Sequence, residues 1–420
     1  MIIKLKIYFI AIFILCELSF AQNISPYSRF GIGLLPTQFS PVVGLQGGPG
    51  VGFIRRDFIN NLNPAANAKT RFTIFNIGTI FSKTSLADAN NSIDNLDDGY
   101  FNSVSIAVPI DVEKGITATA SILPFSTVSD ESSLKKIIGK HSVLESFKSS
   151  GGLSMAQIGI SYSPIKNLYL GFSTEYLFGE RNFNHSSSFT DTTFNEINTL
   201  TRYSESSIGV SFGFVYENLN QLLNINSVDN ISIGGNLMMP RTLSSSKDFY
   251  TERSYFNDQD YFSQLFDTLS SNNNSNIPLK ITLGTSVQIK NNLIALDYSI
   301  QDWSNFKNSN SSIEKFASDN RLSFGITTLP KESPNYLENI TLSLGFSTRN
   351  TYLQISNQNI SEQIFMVGTG FPLSATGKCQ IGLTYTTRGK IENNLVKENI
   401  FGAFVNITLG ELWFVQPPIE

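Results

Sequence analysis

The stretch Leu168-Tyr169-Leu170-Gly171-Phe172-Ser173-Thr174-Glu175-Tyr176-Leu177-Phe178 decides how the rest of the chain is read. Leu168, Leu170, Phe172, Tyr176 and Phe178 share one face with a single Thr174, while Gly171, Ser173 and Glu175 share the other. A period of two marks a strand with one greasy face and one small or polar face. Just upstream, Ile158, Ile160 and Tyr162 alternate with Gln157, Gly159 and Ser161, and the short link Ser163-Pro164-Ile165-Lys166-Asn167 joins the two runs. Together they read as a hairpin.

The same alternation recurs down the chain. Ile208, Val210, Phe212 and Phe214 oppose Gly209, Ser211 and Gly213; Leu279, Ile281, Leu283, Val287 and Ile289 oppose Lys280, Thr282, Gly284, Ser286 and Gln288. Between Arg71 and Gly410 about fourteen such segments can be drawn, an even number of the kind that closes a bacterial outer-membrane barrel and leaves no sheet edge in lipid. Short links (Glu113-Lys114, Ser163 to Asn167, Lys290 to Asn292) alternate with long ones (Ser85 to Gly99, Ser129 to Gly152, Glu180 to Thr199, Leu243 to Asn276, Asn305 to Asn320). Short periplasmic turns and long outer loops are expected of such a barrel, whereas a soluble sandwich or propeller has no need of the asymmetry. Tyr162, Tyr169, Tyr298, Trp413 and Phe414 fall near strand ends, where aromatic girdles are expected.

The first residues read as an export signal. Lys4 and Lys6 precede an apolar run from Ile7 to Cys16, and Ser19-Phe20-Ala21 offers small residues before Gln22. Removing residues 1–21 moves the formal charge from -4 to -5 and leaves Cys379 as the sole cysteine. The mildly acidic balance argues against a nucleic-acid partner, and one cysteine allows no internal disulfide. Residues 22–70 show no sustained alternation and carry the Gly-rich run Gly44 to Gly52. Without a following Gly-Lys-Ser/Thr this run is no phosphate cradle; a compact hatch folded into the lumen suits it, approached closely by luminal Gly and Ser. The expected organisation is a signal peptide at 1–21, a hatch at 22–70, a transmembrane antiparallel β-barrel at 71–415 and a tail at 416–420.

Ser25-Pro26-Tyr27-Ser28-Arg29-Phe30-Gly31-Ile32-Gly33, the Gly-rich run and Asn63-Pro64-Ala65 resemble the N-terminal hatch of the FadL-like long-chain fatty acid transporter family of outer-membrane proteins. Asp297 to Ser304, Arg388-Gly389, Lys397-Glu398-Asn399 and Leu412 to Val415 are similar to other parts of that family. The resemblance implies a fourteen-stranded barrel blocked by a hatch, with hydrophobic ligands captured outside and released sideways through a kinked third strand. Pro124, after Ile122 and Leu123, lacks a ladder N–H and is the candidate edge of that lateral gate; the alternative is that the strand has already ended at Leu123.

Two segments read as loops could capture a ligand. Tyr261, Phe262, Leu265, Phe266 and Leu269 recur at helical spacing, and Ile137 sits beside Lys135 and Lys136. Apolar surface with an ammonium suits a fatty acid, although the same pattern could simply pack the loops together. Glu175, Lys280, Asp297 and Arg349 are expected in the lumen, with Arg55 and Arg56 of the hatch as partners for Glu175 or Asp297. His141 and His185 lie in separate long loops, so no catalytic constellation is visible. Asp94, Asp97 and Asp98 lack the spaced calcium pattern and read as a solvated acidic loop. No enzyme, cofactor or metal site is expected. The expected function is uptake of long-chain fatty acids or other hydrophobic small molecules across the outer membrane; the alternative is a non-transporting barrel serving a secretion or protein-assembly complex. Expected partners are outer-membrane lipid and either a hydrophobic ligand or other envelope proteins.

Overall fold

The computed structural model describes residues 25–36, 48–88, 93–189, 195–257, 260–306, 315–331, 333–355 and 357–411. The signal segment, Gly44 to Gly47, Trp413, Phe414 and the tail at 416–420 lie outside them. Seventeen hydrogen-bonded segments make one sheet that closes as a 14-stranded antiparallel barrel. The strands are β1 Thr73–Ala87, β2 Ile93–Asp111, β3 Ile116–Ile138, β4 His141–Ile165, β5 Leu168–Phe189 and β6 Glu196–Tyr216. Next come β7 (Asn230–Met238 continued by Arg241–Asn257), β8 (Asp260–Ile277 continued by Lys280–Ile289), β9 Asn292–Asp302 and β10 (Lys315–Phe316 continued by Ser318–Thr328). The wall ends with β11 Thr341–Ile355, β12 Gln358–Pro372, β13 Lys378–Arg388 and β14 Lys397–Glu411. The interruptions in β7 and β8 coincide with Pro240 and Pro278, each of which removes a ladder donor.

Side-chain alternation does what the sequence asks. On β5, Leu170, Phe172, Tyr176 and Phe178 are turned outward, and Ser173, Glu175 and Leu177 are buried inside. The outward row continues through Ile158, Ile160, Phe212, Phe214, Leu283, Tyr298, Phe324, Leu344 and Leu383. Such a belt is stable only against hydrocarbon. Tyr169 departs from its expected place in an aromatic girdle, being buried within the barrel against Ala65, Ala66 and Val215. It occupies the inward phase of β5, opposite to Leu168 and Leu170.

The long connections are mostly not loops. A membrane strand needs about 9–11 residues, whereas β3, β4, β5 and β6 run for 23, 25, 22 and 21. Hairpins β3–β4 and β7–β8 therefore rise far past any bilayer, pairing as far as Ile138↔His141 and Asn257↔Asp260. The link between β4 and β5 is tighter than expected, pairing Ile165 with Leu168 around Asn167 at φ 70°, a conformation asparagine tolerates well.

Closure is uneven. Strands β1 and β14 pair continuously from Thr73↔Glu411 to Ala87↔Lys397. Strands β2 and β3 pair only from Asp111↔Ile116 to Val104↔Ile122, and the rest of each strand diverges. Immediately beyond, β3 bulges between Pro124 and Ser126 against β4. One extra residue reverses the inward phase: Leu123 and Phe125 point in before it, Val128 and Asp130 after it. The strand therefore does not end at Leu123.

Candidate functional site

The described residues 25–36 and 48–70 lie against the inner wall of the barrel and touch it through backbone. Gly50 and Val51 donate their N–H groups to Asp297 Oδ2 at 2.7 and 2.9 Å. Asn63 caps the short turn Pro64–Asn67 by accepting from the Ala65 N–H at 3.1 Å, and its Nδ2 donates to the Val51 and Phe214 carbonyls at 2.9 and 3.0 Å. Luminal glycines make this approach possible. A Cβ on Gly171 would stand 2.2 Å from the Ala65 nitrogen, and one on Gly234 would stand 2.2 Å from the Val51 oxygen, distances no packed methyl tolerates.

The upper part of the segment is held by buried charge. Five consecutive strands each contribute one charged residue: Asp319 on β10, Arg349 on β11, Glu362 on β12, Arg388 on β13 and Glu398 on β14. Arg349 meets Asp319 at 2.5 Å and Glu362 at 3.9 Å; Arg388 meets Glu362 at 3.4 Å and Glu398 at 2.7 Å. From Arg349 to Glu398 the row alternates in sign because the four residues lie at matching register; Asp319 joins it diagonally, since the residue directly opposite Arg349 on β10 is Arg321. Its ends reach the N-terminal segment, where Ser25 Oγ donates to Glu398 and Arg349 donates to the Leu35 carbonyl at 2.8 Å. On the facing wall Arg181 pairs with Glu205 at 2.6 Å and donates to the Gly31 carbonyl at 2.5 Å. Tyr352 donates to the Gly33 carbonyl at 2.6 Å. Burial, helped by the Glu398 carboxylate, pushes the Tyr27 phenol up to about 12, so its hydroxyl stays a donor to the Val396 carbonyl.

Between these contacts lies a cavity of about 50 Å³ lined by Gln157, Glu175, Lys280, Asp297, Arg321 and Asn236, among others. A dry cavity that accepts benzene measures about 150 Å³, so this space suits a few waters and no hydrocarbon.

At the interrupted seam the N-terminal segment takes the place of β2. Leu34 and Thr127 exchange both backbone bonds at 2.9 Å, as neighbouring strands do. Ser25 N–H donates to the Ser129 carbonyl at 2.8 Å, and Ser28 Oγ accepts from the Ser129 N–H at 2.9 Å. Ile32, Leu34, Leu123, Phe125, Leu153, Trp303 and Tyr352 fill the interior behind them.

Of the residues singled out from sequence, Glu175, Lys280 and Asp297 meet around the small cavity, and Arg349 joins the charged row. Their expected partners are different. Arg55 pairs with Asp57 at 2.5 Å, and Lys378 of β13 holds the same carboxylate; Glu175 pairs with Arg241 at 2.8 Å; Asp297 takes backbone donors. Arg56 is exposed. Gly50 and Val51 bind Asp297 with their own N–H groups, and the cation that shares its cavity is Arg321 of the wall, not Arg55 or Arg56. Burial alone would raise the Asp57 carboxyl, but Arg55 and Lys378 outweigh it and hold it well below the usual carboxylate range. Pro124 sits just past the last β2–β3 pair.

The expected capture loops are strands. Lys135, Lys136 and Ile137 lie on the projecting part of β3, exposed, with Lys136 bonded to Glu145 at 2.7 Å. Tyr261, Phe262, Leu265 and Phe266 lie on extended backbone of β8, where successive residues alternate faces and a helical stripe cannot form. Leu265 and Leu269 are exposed, and the side chains of the other three lie outside the described residues. His141 and His185 are likewise on strands, His185 stacked on Phe147 at 4.4 Å. Asp97 is exposed beside Lys83, but Asp98 is buried, so the acidic group is not a solvated loop. Among the described residues no group of three or more His, Cys, Asp or Glu could hold a metal.

Sequence reasoning missed Arg181, Arg241, Asp319, Glu362 and the pairing role of Arg388 and Glu398. Each is a lone charge on the small, polar phase of a strand, a signal visible in principle, but its partner is fixed only by register.

A closed barrel of this strand number, threaded by its own N-terminal segment and interrupted beside the third strand, has the fold of outer-membrane transporters for hydrophobic compounds. It is similar to the Ralstonia pickettii toluene transporter TbuX (13% identity, TM-score 0.57, covering 89% of this chain and 99% of that one). It is also similar to a Pseudomonas aeruginosa FadL homologue (11%, 0.55, 87% and 96%) and to the Pseudomonas putida toluene transporter TodX (11%, 0.53, 88% and 97%). The FadL-like resemblance thus holds at the level of fold. By sequence the chain belongs to the BamG family, which matches residues 1–420. No curated protein matches it.

Proposed function

We propose that the protein is an outer-membrane barrel whose N-terminal segment is a movable hatch, and that it passes hydrophobic small molecules, long-chain fatty acids among them, sideways into the membrane through the β2–β3 seam. The observation that carries this is the seam: β2–β3 pairing stops at Ile122, and noncovalent contacts from Ser25, Ser28 and Leu34 cover the edge beyond it. Pro124 marks the lower lip of the exit. The similar barrels described as toluene transporters support the same reading.

The test locks the hatch. Leu34 and Thr127 form a hydrogen-bonded antiparallel pair, whose Cα atoms stand about 5.5 Å apart, within disulfide range. In proteoliposomes the doubly substituted Leu34→Cys/Thr127→Cys protein should transfer a fluorescent long-chain fatty acid when reduced and stop when oxidised. Transfer indifferent to oxidation would reject the seam as the route.

A second reading has its own observation. The lumen holds a cavity of about 50 Å³ bordered by charge, and membership of the BamG family does not itself bring transport. On this reading the barrel stays sealed and serves as a non-transporting subunit of a secretion or protein-assembly complex. Absent transfer in both redox states, with stoichiometric envelope proteins in the native mass of mildly extracted material, would select it.

A further inference from the structure

The bonds made by Thr127 and Ser129 define which backbone groups of β3 face the seam. Both residues turn their N–H and C=O away from β4 and toward the N-terminal segment. In an antiparallel ladder this orientation recurs at every second residue. Glu131, Ser133, Lys135 and Ile137 therefore present the next four donor–acceptor pairs along the same edge. Strand β2 offers them no partner, since its register with β3 stops at Val104↔Ile122. The other edge of β3 is fully used, pairing with β4 as far as Ile138↔His141, and every residue from Glu131 to Lys140 is exposed.

Among the described residues nothing pairs with this stretch; an open edge of this length invites strand addition, and proteins that must avoid it blunt the edge with inward charges, bulges or prolines. Here the bulge lies below the open stretch, at Pro124 to Ser126, and no proline follows it in β3. The charges are also unevenly committed. Lys136 is held by Glu145 at 2.7 Å and Glu131 by Lys148 at 3.6 Å, both across to β4. Lys135 enters no ion pair among the described residues. Its neighbour on the same outward face, Ile137, is 79% exposed.

We propose that the β3 edge from Glu131 to Ile137 is a docking site for an extended segment of another polypeptide, added as a strand beside β3, with a carboxylate opposite Lys135 and an apolar residue opposite Ile137. Leu34 already shows how this edge takes a strand: the partner continues outward along the line that the N-terminal segment begins. Main-chain bonds supply the affinity and the alternate side chains the selectivity. The site stands whether or not the barrel transports.

Amide hydrogen exchange on the full chain in nanodiscs tests it, with a capped nine-residue peptide of alternating threonine and valine carrying one central glutamate as the probe. The peptide should slow exchange at Ser133, Lys135 and Ile137 by about tenfold or more, leaving the amides of Leu134 and Lys136, which already face β4, unchanged. Lys135→Pro, which removes an edge-facing donor and the ammonium while sparing the bonds to β4, should abolish the effect, and Lys136→Ala should keep it. A peptide N-methylated at the residues facing β3 should fail on the unaltered protein. The proposal is overturned if those three amides are already protected without peptide, if saturating peptide leaves them unchanged, or if the N-methylated peptide works equally well.

Discussion

Two seams of the same barrel are built from the same material and end differently. Where β14 meets β1, fifteen residues of each strand pair without a register shift, and the chain's last strand is stitched to its first. Where β2 meets β3, pairing reaches Ile122 and stops, although both strands continue well beyond. The proline and the bulge at residues 124–126 turn β3 away from β2, and the first part of the freed edge, at Thr127 and Ser129, is covered by the N-terminal segment. A seam closed by a continuous ladder opens only with the barrel; one closed by a few bonds to a threaded segment opens when that segment shifts. On the proposed function, the hatch contacts are therefore the ones that have to shift.

The largest effect is expected where the hatch is tied to the intact wall. Arg349→Ala would strand the buried Asp319 carboxylate, leave Glu362 to Arg388 alone and delete the bond to the Leu35 carbonyl, a loss of about 3–5 kcal/mol. Urea unfolding of the detergent-solubilised barrel should show it as a lowered midpoint; an unchanged midpoint would mean that the charged row contributes nothing.

Gly171→Ala is expected to act next most strongly. Its new methyl meets the Ala65 nitrogen and the Pro64 carbonyl carbon, both backbone, and overpacking of this kind costs about 1–3 kcal/mol. Protease accessibility of residues 25–70 should rise while the β1–β14 amides keep their protection. Equal loosening of both would erase the contrast between the seams.

A smaller change should follow Leu34→Pro, which removes the N–H given to the Thr127 carbonyl. The lost bond costs about 1 kcal/mol and the trimmed Leu34 side chain, buried in the interior cluster, adds to it; both loosen the N-terminal segment and not the wall, so the change is read as increased single-channel conductance in planar bilayers at unaltered unfolding midpoint. A fall in the midpoint would instead make this contact part of the barrel's own stability.

Acid should produce the mildest effect. Asp57 has its carboxyl held below the ordinary value, so its contribution is complete above about pH 4 and is lost as pH falls through the depressed folded value. Protease cleavage near Asp57 should be flat from pH 7 to 5 and rise only in stronger acid, with the rise absent in Asp57→Asn. A rise already present at pH 6 would point to another group.

Much of this was legible from sequence. The alternation in Leu168 to Phe178 gave the lipid-facing and luminal sides of β5, and the repeated pattern gave an even-stranded barrel. Gly171 and Gly213, small residues on the inward phase, announced that something approaches closely; that it is Asn63 and Ala65 could not be read. Long polar connections concealed strands, because outside a membrane neither face of a hairpin such as Glu131 to Lys148 has to be apolar, and the period-two signal disappears. Arg55 was given partners by charge alone, and Asp57, two residues away, was overlooked as the nearer one.

The sequence by itself determined the class of fold, because lipid demands that every strand hide one kind of side chain and show the other, and that demand is written residue by residue. Tertiary structure alone decided which charges meet and where the wall parts. Sign alternation across Arg349, Glu362, Arg388 and Glu398 exists only once four strands lock in register, with Asp319 reaching Arg349 diagonally from a fifth, and the gap beyond Ile122 exists only once two strands diverge; both are relations between strands, which no local pattern encodes.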